Sequence, residues 1–418
     1  MNNSDEYDLI VIGAGMAGVA AANKCGAAGW RVAIVDALPY GGTCALRGCD
    51  PKKILRRGAE IVDAARLMDG KGIDHSGLKI NWSDLMAHKR GFTDPVPDKM
   101  EKGLTGNGVE TLHGAARFTG AETLEVDGQP YQSKRFLVAA GAIPRPVSFT
   151  GANLMIDSTN FLNLGTLPKR ILFVGGGFVS FEFAHIAARA GAEPVIVDRG
   201  ARPLNAFDPD LVEMLIARSA AVGVDLRRET EIVSITASDA GFAVEVKTGD
   251  QTTTIETDLE STTNSAVYAA GDSADTKGMP LTPVAVIEGK VAASNMLKEQ
   301  KIVPDYSGIP TAVFTVPELA RVGMLEAEAK DAGHDVDVRF TDTGGWYSNY
   351  RIGETSAAVK VLVDKSNGKI LGAHLFGPEY GELINFFGLA IKMGLTAKQL
   401  KSMTAVYPSV GSDLGSLL

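Results

Sequence analysis

Cysteine is scarce in this chain, with three residues in 418: Cys25, Cys44 and Cys49. The cytoplasm is the expected location, and in a cytoplasmic chain so few cysteines argue against a disulfide framework. Histidine is sparse too, with six residues, none of them near Cys44 or Cys49. Since no second cysteine pair completes a ligand set, we expect no metal site.

An excess of positive charge is also absent. The formal net charge is -9, which argues against a general affinity for nucleic acid or anionic membrane surfaces. The N-terminal stretch MNNSDEYDLIVIG places acidic residues before a short apolar run. It resembles neither a signal peptide nor a membrane span. The expected partner is therefore a small molecule, not nucleic acid or a membrane.

Glycine and apolar residues are abundant, with 47 glycines and 45% hydrophobic residues. Residues 7–36 read as an apolar run, a glycine turn, an alanine-rich helix and a second apolar run that ends in an acid. Unbroken apolar strands are typical of a parallel sheet covered on both faces. The same pattern returns at residues 170–198. The sequence therefore predicts an α/β protein with two Rossmann-like nucleotide-binding units.

The first glycine turn has the pattern G-x-G-x-x-G, formed by Gly13, Gly15 and Gly18. In such a turn the first glycine permits the tight bend, the second lets the backbone approach a pyrophosphate, and the third allows close helix packing. Asp36 ends the next strand, where it can accept hydrogen bonds from ribose hydroxyls. Together these features predict a dinucleotide site.

The second turn contains Gly175 and Gly177, with Ser180 in the place of the third glycine. Serine is small enough for the helix to stay near the strand, so this unit is also predicted to bind a dinucleotide.

The choice between NADH and NADPH stays open. Asp198 closes the second unit, and an acid at that place accepts the 2'-hydroxyl of NAD and repels a 2'-phosphate. Arg199 and Arg202 follow, and arginine is the usual partner of the 2'-phosphate. Both arginines also fit a solvated loop.

The segment GGTCALRGCDPKKIL, residues 41–55, holds Cys44 and Cys49 five positions apart. On one ideal helix their Cα atoms lie about 8 to 9 Å apart, whereas a disulfide needs less than about 7 Å. A bridge requires an interruption, which Gly48 permits. A strained bridge at a helix start is easily reduced, which favours a redox pair. Unpaired structural thiols and a metal site are the alternatives.

Several motifs carry a resemblance over nearly the whole chain: GGTCALRGCDPKK, RFLVAAGAIPRP, SAVYAAGDSAD, LTPVAVIEGK, VFTVPELARVG and GKILGAHLFGPEYGELI. On them the chain resembles the FAD-dependent pyridine nucleotide-disulfide oxidoreductases, which include glutathione reductase, dihydrolipoyl dehydrogenase and mercuric reductase. The resemblance implies two Rossmann-like domains plus a C-terminal α+β dimerisation domain. It also implies FAD at the first turn, NADH or NADPH at the second, and a homodimer.

The domain boundaries expected from this resemblance are four. Residues 1–148 form the first part of the FAD-binding domain and residues 149–259 the NAD(P)-binding domain. Residues 260–305 form the second part of the FAD or central domain. Residues 306–418 form the dimerisation domain that the resemblance implies, and the strand patterns and the helix ELINFFGLAIKMG there indicate a separate α+β domain.

The resemblance also implies roles for single residues. Cys49 would be the thiol beside the flavin and Cys44 the outer thiol that exchanges with substrate. Lys52 would lie near the flavin, paired with Glu182. Phe178 would be the gate at which the nicotinamide enters. The remaining positions implied to bind cofactors are Gly42, Thr43, Lys53, Gly141, Gly271, Asp272 at the ribityl chain and Thr282 at the start of a helix.

The chain departs from the family at two places. Tyr407, in TAVYPSVGSDL, stands where the family has the acid-base histidine of the outer thiol. Tyrosine, with an ordinary pKa of about 10, is a poor base at neutral pH. Residues 257–266 replace a segment about thirty residues longer in the family, either through a true deletion or through an omitted loop.

The expected function is transfer of electrons from NAD(P)H through FAD to the Cys44–Cys49 disulfide and on to a disulfide substrate. One alternative is reduction of a quinone or metal ion. Another is a redox-sensing flavoprotein whose disulfide turnover is impaired by Tyr407.

Overall fold

The computed structural model describes residues 6–143, 147–238, 241–262, 272–274, 276, 278–298 and 302–418. Two compact units form. The first comprises Met1–Lys52, Ala87–Pro146 and Ser265–Tyr306, and the second comprises Lys53–Met86, Val147–Asn264 and Ser307–Leu418. Within the described ranges, no helix is long and apolar enough to cross a membrane.

The N-terminal third begins with a β-α-β unit, followed by four helices and five strands. Its elements are β1 (Leu9–Ile12), α1 (Met16–Ala27), β2 (Val32–Asp36), α2 (Gly42–Arg47), α3 (Cys49–Leu67), α4 (Trp82–Thr93), α5 (Val96–Gly106), β3 (Val109–His113), β4 (Ala116–Phe118), β5 (Thr123–Val126), β6 (Gln129–Gln132) and β7 (Phe136–Val138). Strands β3-β2-β1-β7 form a parallel sheet in that order, and β4-β5-β6 form an antiparallel one. Strands β1 and β2 are almost wholly buried, as apolar runs in a sheet covered on both faces should be.

The middle of the chain repeats this arrangement in the second unit. Its elements are β8 (Ile156–Asp157), α6 (Ser158–Phe161), β9 (Arg170–Val174), α7 (Phe178–Arg189), β10 (Glu193–Val197), α8 (Pro209–Ala221), β11 (Asp225–Arg227), β12 (Thr230–Ser238), β13 (Gly241–Thr248), β14 (Gln251–Thr257) and β15 (Leu259–Thr262). Strands β11-β10-β9-β15-β8 form a parallel sheet, and β12-β13-β14 an antiparallel one.

Strand β15 lies in the shortened connection and was not predicted. It pairs in parallel with both β8 and β9. Residues 263–271 lie outside the described part of the chain, and they include most of the strand that SAVYAAGDSAD predicted. Both explanations of the short connection at residues 257–266, a true deletion and an omitted loop, therefore still stand.

The C-terminal part forms one antiparallel sheet with helices. After α9 (Thr282–Lys298) come β16 (Thr311–Val313), β17 (Glu318–Gly323), α10 (Glu326–Asp331), β18 (Val336–Asp342), α11 (Tyr347–Tyr350), β19 (Ala358–Asp364), β20 (Ile370–Gly377), α12 (Tyr380–Lys392) and α13 (Ala397–Lys401). The strand order is β16-β17-β20-β19-β18, and α12 packs on β17 and β20. The predicted fold class, two Rossmann-like domains plus an α+β domain, is confirmed.

Helices α1 and α9 pack closely in the first unit, and this contact generates a stability prediction. A Cβ on Gly289 would lie 2.2 Å from the carbonyl oxygen of Ala17. Because backbone must move to admit a methyl group there, Gly289→Ala should lower the free energy of unfolding by about 1–3 kcal/mol, measured by urea denaturation.

The matched control is Gly103→Ala in α5, where a Cβ meets no atom within 4 Å. That change should stabilise by about 0.5–1 kcal/mol. Equal stabilities would contradict the close packing.

Candidate active site

The first glycine turn joins β1 to α1. Gly13 has φ +108°, and a Cβ there would lie 2.2 Å from the carbonyl oxygen of Ala139. A Cβ on Gly18 would lie 2.0 Å from the carbonyl oxygen of Gly13, whereas a Cβ on Gly15 would meet no atom within 4 Å. Packing therefore requires Gly13 and Gly18. The open space at Gly15 fits the approach of a pyrophosphate to the backbone.

Asp36 ends β2 beside this turn. Its carboxylate accepts hydrogen bonds from the backbone N–H of Ala14 at 2.7 Å and from that of Leu38 at 2.9 Å. These bonds orient the carboxylate, and its remaining lone pairs can accept from ribose hydroxyls. Gly42, the first residue of α2, packs on the same turn, since a Cβ there would lie 2.6 Å from the Cα of Gly15.

The two cysteines of the redox segment lie on different helices. Helix α2 ends at Arg47 and α3 begins at Cys49, because Gly48 leaves the helical region with φ -149° and ψ -108°. The hydroxyl of Thr282 donates to Cys44 Sγ at 3.0 Å and lies 3.4 Å from Cys49 Sγ. Both cysteines are free thiols. The interruption expected at Gly48 is present, and one hydroxyl group contacts both sulfur atoms.

The two thiols differ in acidity. A hydrogen bond from Cys44 is the main cause that lowers the pKa of Cys49 to about 6; Thr282 and the charge of Lys52 add to it, and desolvation opposes it. The same bond, together with burial, raises the pKa of Cys44 far above its ordinary value. Within the reduced pair, Cys49 is therefore the more acidic thiol and Cys44 the one that holds its proton more strongly.

The second glycine turn joins β9 to α7. Gly175 has φ +100°, and a Cβ on Gly177 would meet no atom within 4 Å, so this turn too leaves its second glycine open to a pyrophosphate. Ser180 is buried, and its Oγ donates to the carbonyl oxygen of Gly175 at 2.5 Å. Serine therefore replaces the third glycine by bonding to the turn. Phe178 is the first residue of α7 and is 44% exposed.

Asp198 lies against the second turn. A Cβ on Gly176 would be 2.4 Å from its Oδ2, so the carboxylate lies beside the glycines of this turn. Arg202 is bound within its own loop, where it donates to Asn205 Oδ1 at 3.2 Å and to Asn205 O at 3.0 Å. Arg199 is exposed. The acid thus lies against the turn, and one of the two arginines is engaged elsewhere.

Glu182 lies one turn into α7 with only 1% of its surface exposed. Its Oε1 accepts a hydrogen bond from the backbone N–H of Phe314 at 2.7 Å. The ammonium of Lys53 lies 3.7 Å from the centroid of the Phe314 ring and 3.5 Å from Glu318 Oε1. Lys53 thus has protein partners, and its predicted cofactor role stays a prediction. Lys52 is buried as well.

Gly141 is linked to the segment that contains Asp272 by Ser273, a residue that was not predicted. The N–H of Gly141 donates to Ser273 Oγ at 2.9 Å. Burial, followed by the nearby carboxylate of Glu288, raises the pKa of Asp272. The position of Ser273 directly after Asp272 in AAGDSAD was the available signal. Gly271 lies outside the described residues.

The structure groups the remaining predicted residues as follows. The first unit brings together Cys44, Cys49, Lys52 and Thr282, and Thr43 lies exposed on α2. Tyr407 belongs to the second unit and is 80% exposed. In the part of the chain that the structure describes, no group of three or more histidine, cysteine or acidic residues could hold a metal ion.

The contact of Thr282 with both sulfurs was not predicted. The sequence analysis placed Thr282 at the start of a helix, and α9 does begin there. Its hydroxyl reaches Cys44 across 238 positions of sequence, so only the assembled fold brings the two together. Phe314 was missed because it binds Glu182 through its backbone, which has no signature in the side chain.

Known proteins resemble this chain over nearly its whole length. Residues 7–260 match the family described as pyridine nucleotide-disulphide oxidoreductase, and residues 309–417 match its dimerisation domain. A glutathione reductase of Burkholderia cepacia is 30% identical over 99% of this chain and 98% of its own length. A mercuric reductase of Lysinibacillus sphaericus is 28% identical over 99% of this chain and 82% of its own length.

The fold has a close structural counterpart. A copper(II) complex of the HOCl-induced flavoprotein disulfide reductase RclA from Escherichia coli, in a cysteine-to-serine mutant, superposes with a TM-score of 0.87. The two chains are 22% identical, and the match covers 99% of each. At that identity the likeness concerns the fold alone.

The Thr282 contact predicts the acidity of Cys49. Because the hydroxyl helps to lower the pKa of Cys49, Thr282→Val should move the thiolate midpoint of the reduced protein above about 6. Thr282→Ser keeps the hydroxyl and should stay near the parent value. The measurement is the ultraviolet difference absorbance of thiolate against pH, with Cys49→Ser to identify the signal. An unchanged midpoint in Thr282→Val would show that the hydroxyl does not act on Cys49.

Proposed function

The chain belongs to the pyridine nucleotide-disulphide oxidoreductase family, and from that premise we propose that it reduces a small disulfide with NADH. The family uses FAD and NAD(P)H, and the chain is an oxidoreductase of its disulfide reductase type. The finer assignments of substrate, coenzyme and residue roles are the proposal. FAD, when bound, supplies the two-electron relay between the nicotinamide and the cysteines.

The difference in acidity between the two cysteines is the observation that carries this proposal. A thiolate at Cys49 beside a protonated Cys44 is the charge distribution that a reduced pair needs if one sulfur faces a cofactor and the other exchanges with substrate. In the net reaction, NADH, one proton and a disulfide yield NAD⁺ and two thiols. The proton of Cys44 moves to the Cys49 thiolate along their hydrogen bond, and Cys44 attacks the substrate disulfide, which forms a mixed disulfide and releases the first thiolate. Cys49 gives its proton to that leaving group and attacks Cys44 Sγ, which closes the internal disulfide and releases the second thiolate, and a proton from solvent completes the second thiol.

NADH is the proposed electron donor. The support is the Asp198 carboxylate beside the second turn and the engagement of Arg202 with Asn205. In the reductive step α7 contributes two side chains. Phe178, exposed at its first position, is proposed as the gate, and Glu182, one turn further, is proposed to support the charge of Lys52.

A homodimer is the proposed assembly. The support is the match of residues 309–417 to a dimerisation domain and a set of exposed large apolar side chains in that part of the chain. Its members are Tyr347, Tyr350, Leu389, Met393, Val406 and Tyr407. Tyr407 belongs to this set, so we place it at the interface, where it takes the position of the family's histidine. The cytoplasmic location remains a prediction from the sequence.

Anaerobic titration of the FAD-loaded protein tests the function. NADH should produce a long-wavelength absorbance band from the Cys49 thiolate beside the oxidised flavin, and NADPH should do so only at much higher concentration. Since the lowered pKa leaves Cys49 charged above about pH 6 and neutral below it, the band should disappear as the pH falls through 6. Cys49→Ser should lack the band. A folded, FAD-loaded protein that shows no band at pH 8 would sink the disulfide reductase proposal.

Tyr407 determines which acceptor is used. A phenol hydroxyl is a poor general base, whereas an imidazole can take up a proton from Cys44. Tyr407→His should therefore raise turnover with a disulfide such as oxidised glutathione relative to turnover with a quinone. General acid–base catalysis is typically worth about 10²–10⁴-fold, so we expect at least about a tenfold rise in that ratio. Tyr407→Phe is the control, and a ratio that is the same in both variants would contradict the account.

The same residue favours a second candidate function, reduction of an acceptor other than a disulfide. A quinone or a thiophilic metal ion accepts electrons without a base at position 407. Steady-state assays with quinones, mercuric ion and disulfides separate the two functions.

A further inference from the structure

Three of the four residues between β16 and β17 in the second unit, Phe314 to Val316, are bound by buried side chains instead of a neighbouring strand. Phe314 N–H donates to Glu182 Oε1 at 2.7 Å. Val316 N–H donates to His185 Nδ1 at 3.2 Å, and Val316 O accepts from Arg189 Nη2 at 2.8 Å. Four backbone polar groups of this segment, counting the carbonyl of Thr315, therefore have side-chain partners.

Three of these partners lie on one face of α7. Glu182, His185 and Arg189 are three and four positions apart, the spacing that aligns side chains along a helix. All three are almost fully buried. Helix α7 thus carries on a single face the carboxylate proposed for flavin reduction and the two side chains that hold the neighbouring backbone segment.

Helix α3 contacts the same segment from a second direction. Arg56 donates to the carbonyl oxygen of Thr315 from Nε at 3.2 Å and from Nη2 at 2.8 Å. Asp63, two turns further along α3, accepts from Arg189 at 2.7 and 3.1 Å, and this buried pair limits the movement of Arg189. The segment is therefore fixed by α3 and α7 together.

His185 has a defined tautomer in this network. Its Nδ1 faces two donors, Val316 N–H and Arg189 Nη1 at 3.1 Å, so Nδ1 must be the acceptor. Nε2 consequently carries the proton and donates to Ser219 Oγ at 2.9 Å, and Ser219 donates to Leu215 O at 2.7 Å. Burial, followed by the positive charge of Arg189, holds the pKa of His185 well below its usual value.

We propose that His185 is a positioning residue, whose Nδ1 anchors the Phe314–Val316 backbone and thereby sets the orientation of the Glu182 carboxylate for reduction of the flavin. The proposal rests on the function proposed above. Glu182 receives the Phe314 N–H, and the Val316 N–H two residues later is anchored by His185. When the second anchor is lost, a buried N–H has no acceptor and the segment must move, which displaces the partner of Glu182.

Two substitutions of the same residue separate the ring nitrogens. In His185→Asn the amide oxygen can occupy the place of Nδ1, whereas in His185→Gln the amide reaches the place of Nε2 and leaves Val316 N–H without its acceptor. Anaerobic stopped-flow reduction of the FAD-loaded protein by NADH gives the limiting rate constant and the NADH dissociation constant. We expect His185→Gln to lower the limiting rate about 10- to 100-fold with little change in dissociation constant. His185→Asn should restore most of that rate.

Ser219→Ala is the matched control, because it removes the partner of the other ring nitrogen. It should lower the melting temperature and leave the limiting rate at the parent value. Equal rates in His185→Gln and His185→Asn, or a rate loss in Ser219→Ala as large as in His185→Gln, would overturn the positioning role. A parent protein that NADH cannot reduce would instead refute the proposed function itself.

If His185→Gln does not retain FAD, Arg189→Lys supplies the same test. It keeps a positive charge beside Asp63 but shortens the reach to Val316 O. The limiting rate should again fall with the dissociation constant little changed, and a rate equal to that of Ser219→Ala would count against the proposal.

Discussion

The hydrogen bonds that join Cys44, Cys49 and Thr282 are the interaction on which the proposed chemistry depends. They require an interrupted helix at Gly48, a second helix that starts at Thr282, and close packing of α9 on α1 through Gly289. None of these three features of the backbone supplies a reactive group. Together they place two sulfur atoms and a hydroxyl so that the dithiol has one acidic and one basic member.

Helix α7 in the second unit has two structural roles, one at its N-terminal end and one along its buried face. Its N-terminal end follows the glycine turn and so is available to a dinucleotide, while its buried face holds a segment that leads into the antiparallel sheet. A helix that is fixed along its length by backbone acceptors and donors has little freedom to rotate. The end of α7 that is proposed to bind the coenzyme therefore has a fixed support, which charged groups such as Arg189 and Asp63 supply without a partner strand.

The sequence predicts those parts of the fold in which local pattern and burial coincide. Both faces of each parallel sheet are covered, so strands β1 and β2 and their counterparts β9 and β10 are apolar. Their apolar runs therefore predict the strands before any contact is known. Strand β15 is different, since LEST has a single apolar residue among four and its pairing depends on neighbours distant in the chain.

The candidate site divides in the same way. The glycines and the cysteines could be predicted from the sequence, because each of their tasks restricts the residue type. The Thr282 contact could not be predicted, because it joins residues far apart in sequence. The Phe314 N–H could not be predicted either, because any residue supplies this backbone group.

The unequal acidity of the two thiols sets how the reduction potential of the pair responds to pH. Below about pH 6, two protons accompany the two electrons that open the disulfide, and the potential falls by about 59 mV for each pH unit. Above it, Cys49 stays as thiolate, only one proton is taken up, and the slope halves to about 30 mV. A neutral environment therefore lies on the shallower part of the curve, where modest changes in acidity alter the driving force of the cysteine pair only slightly.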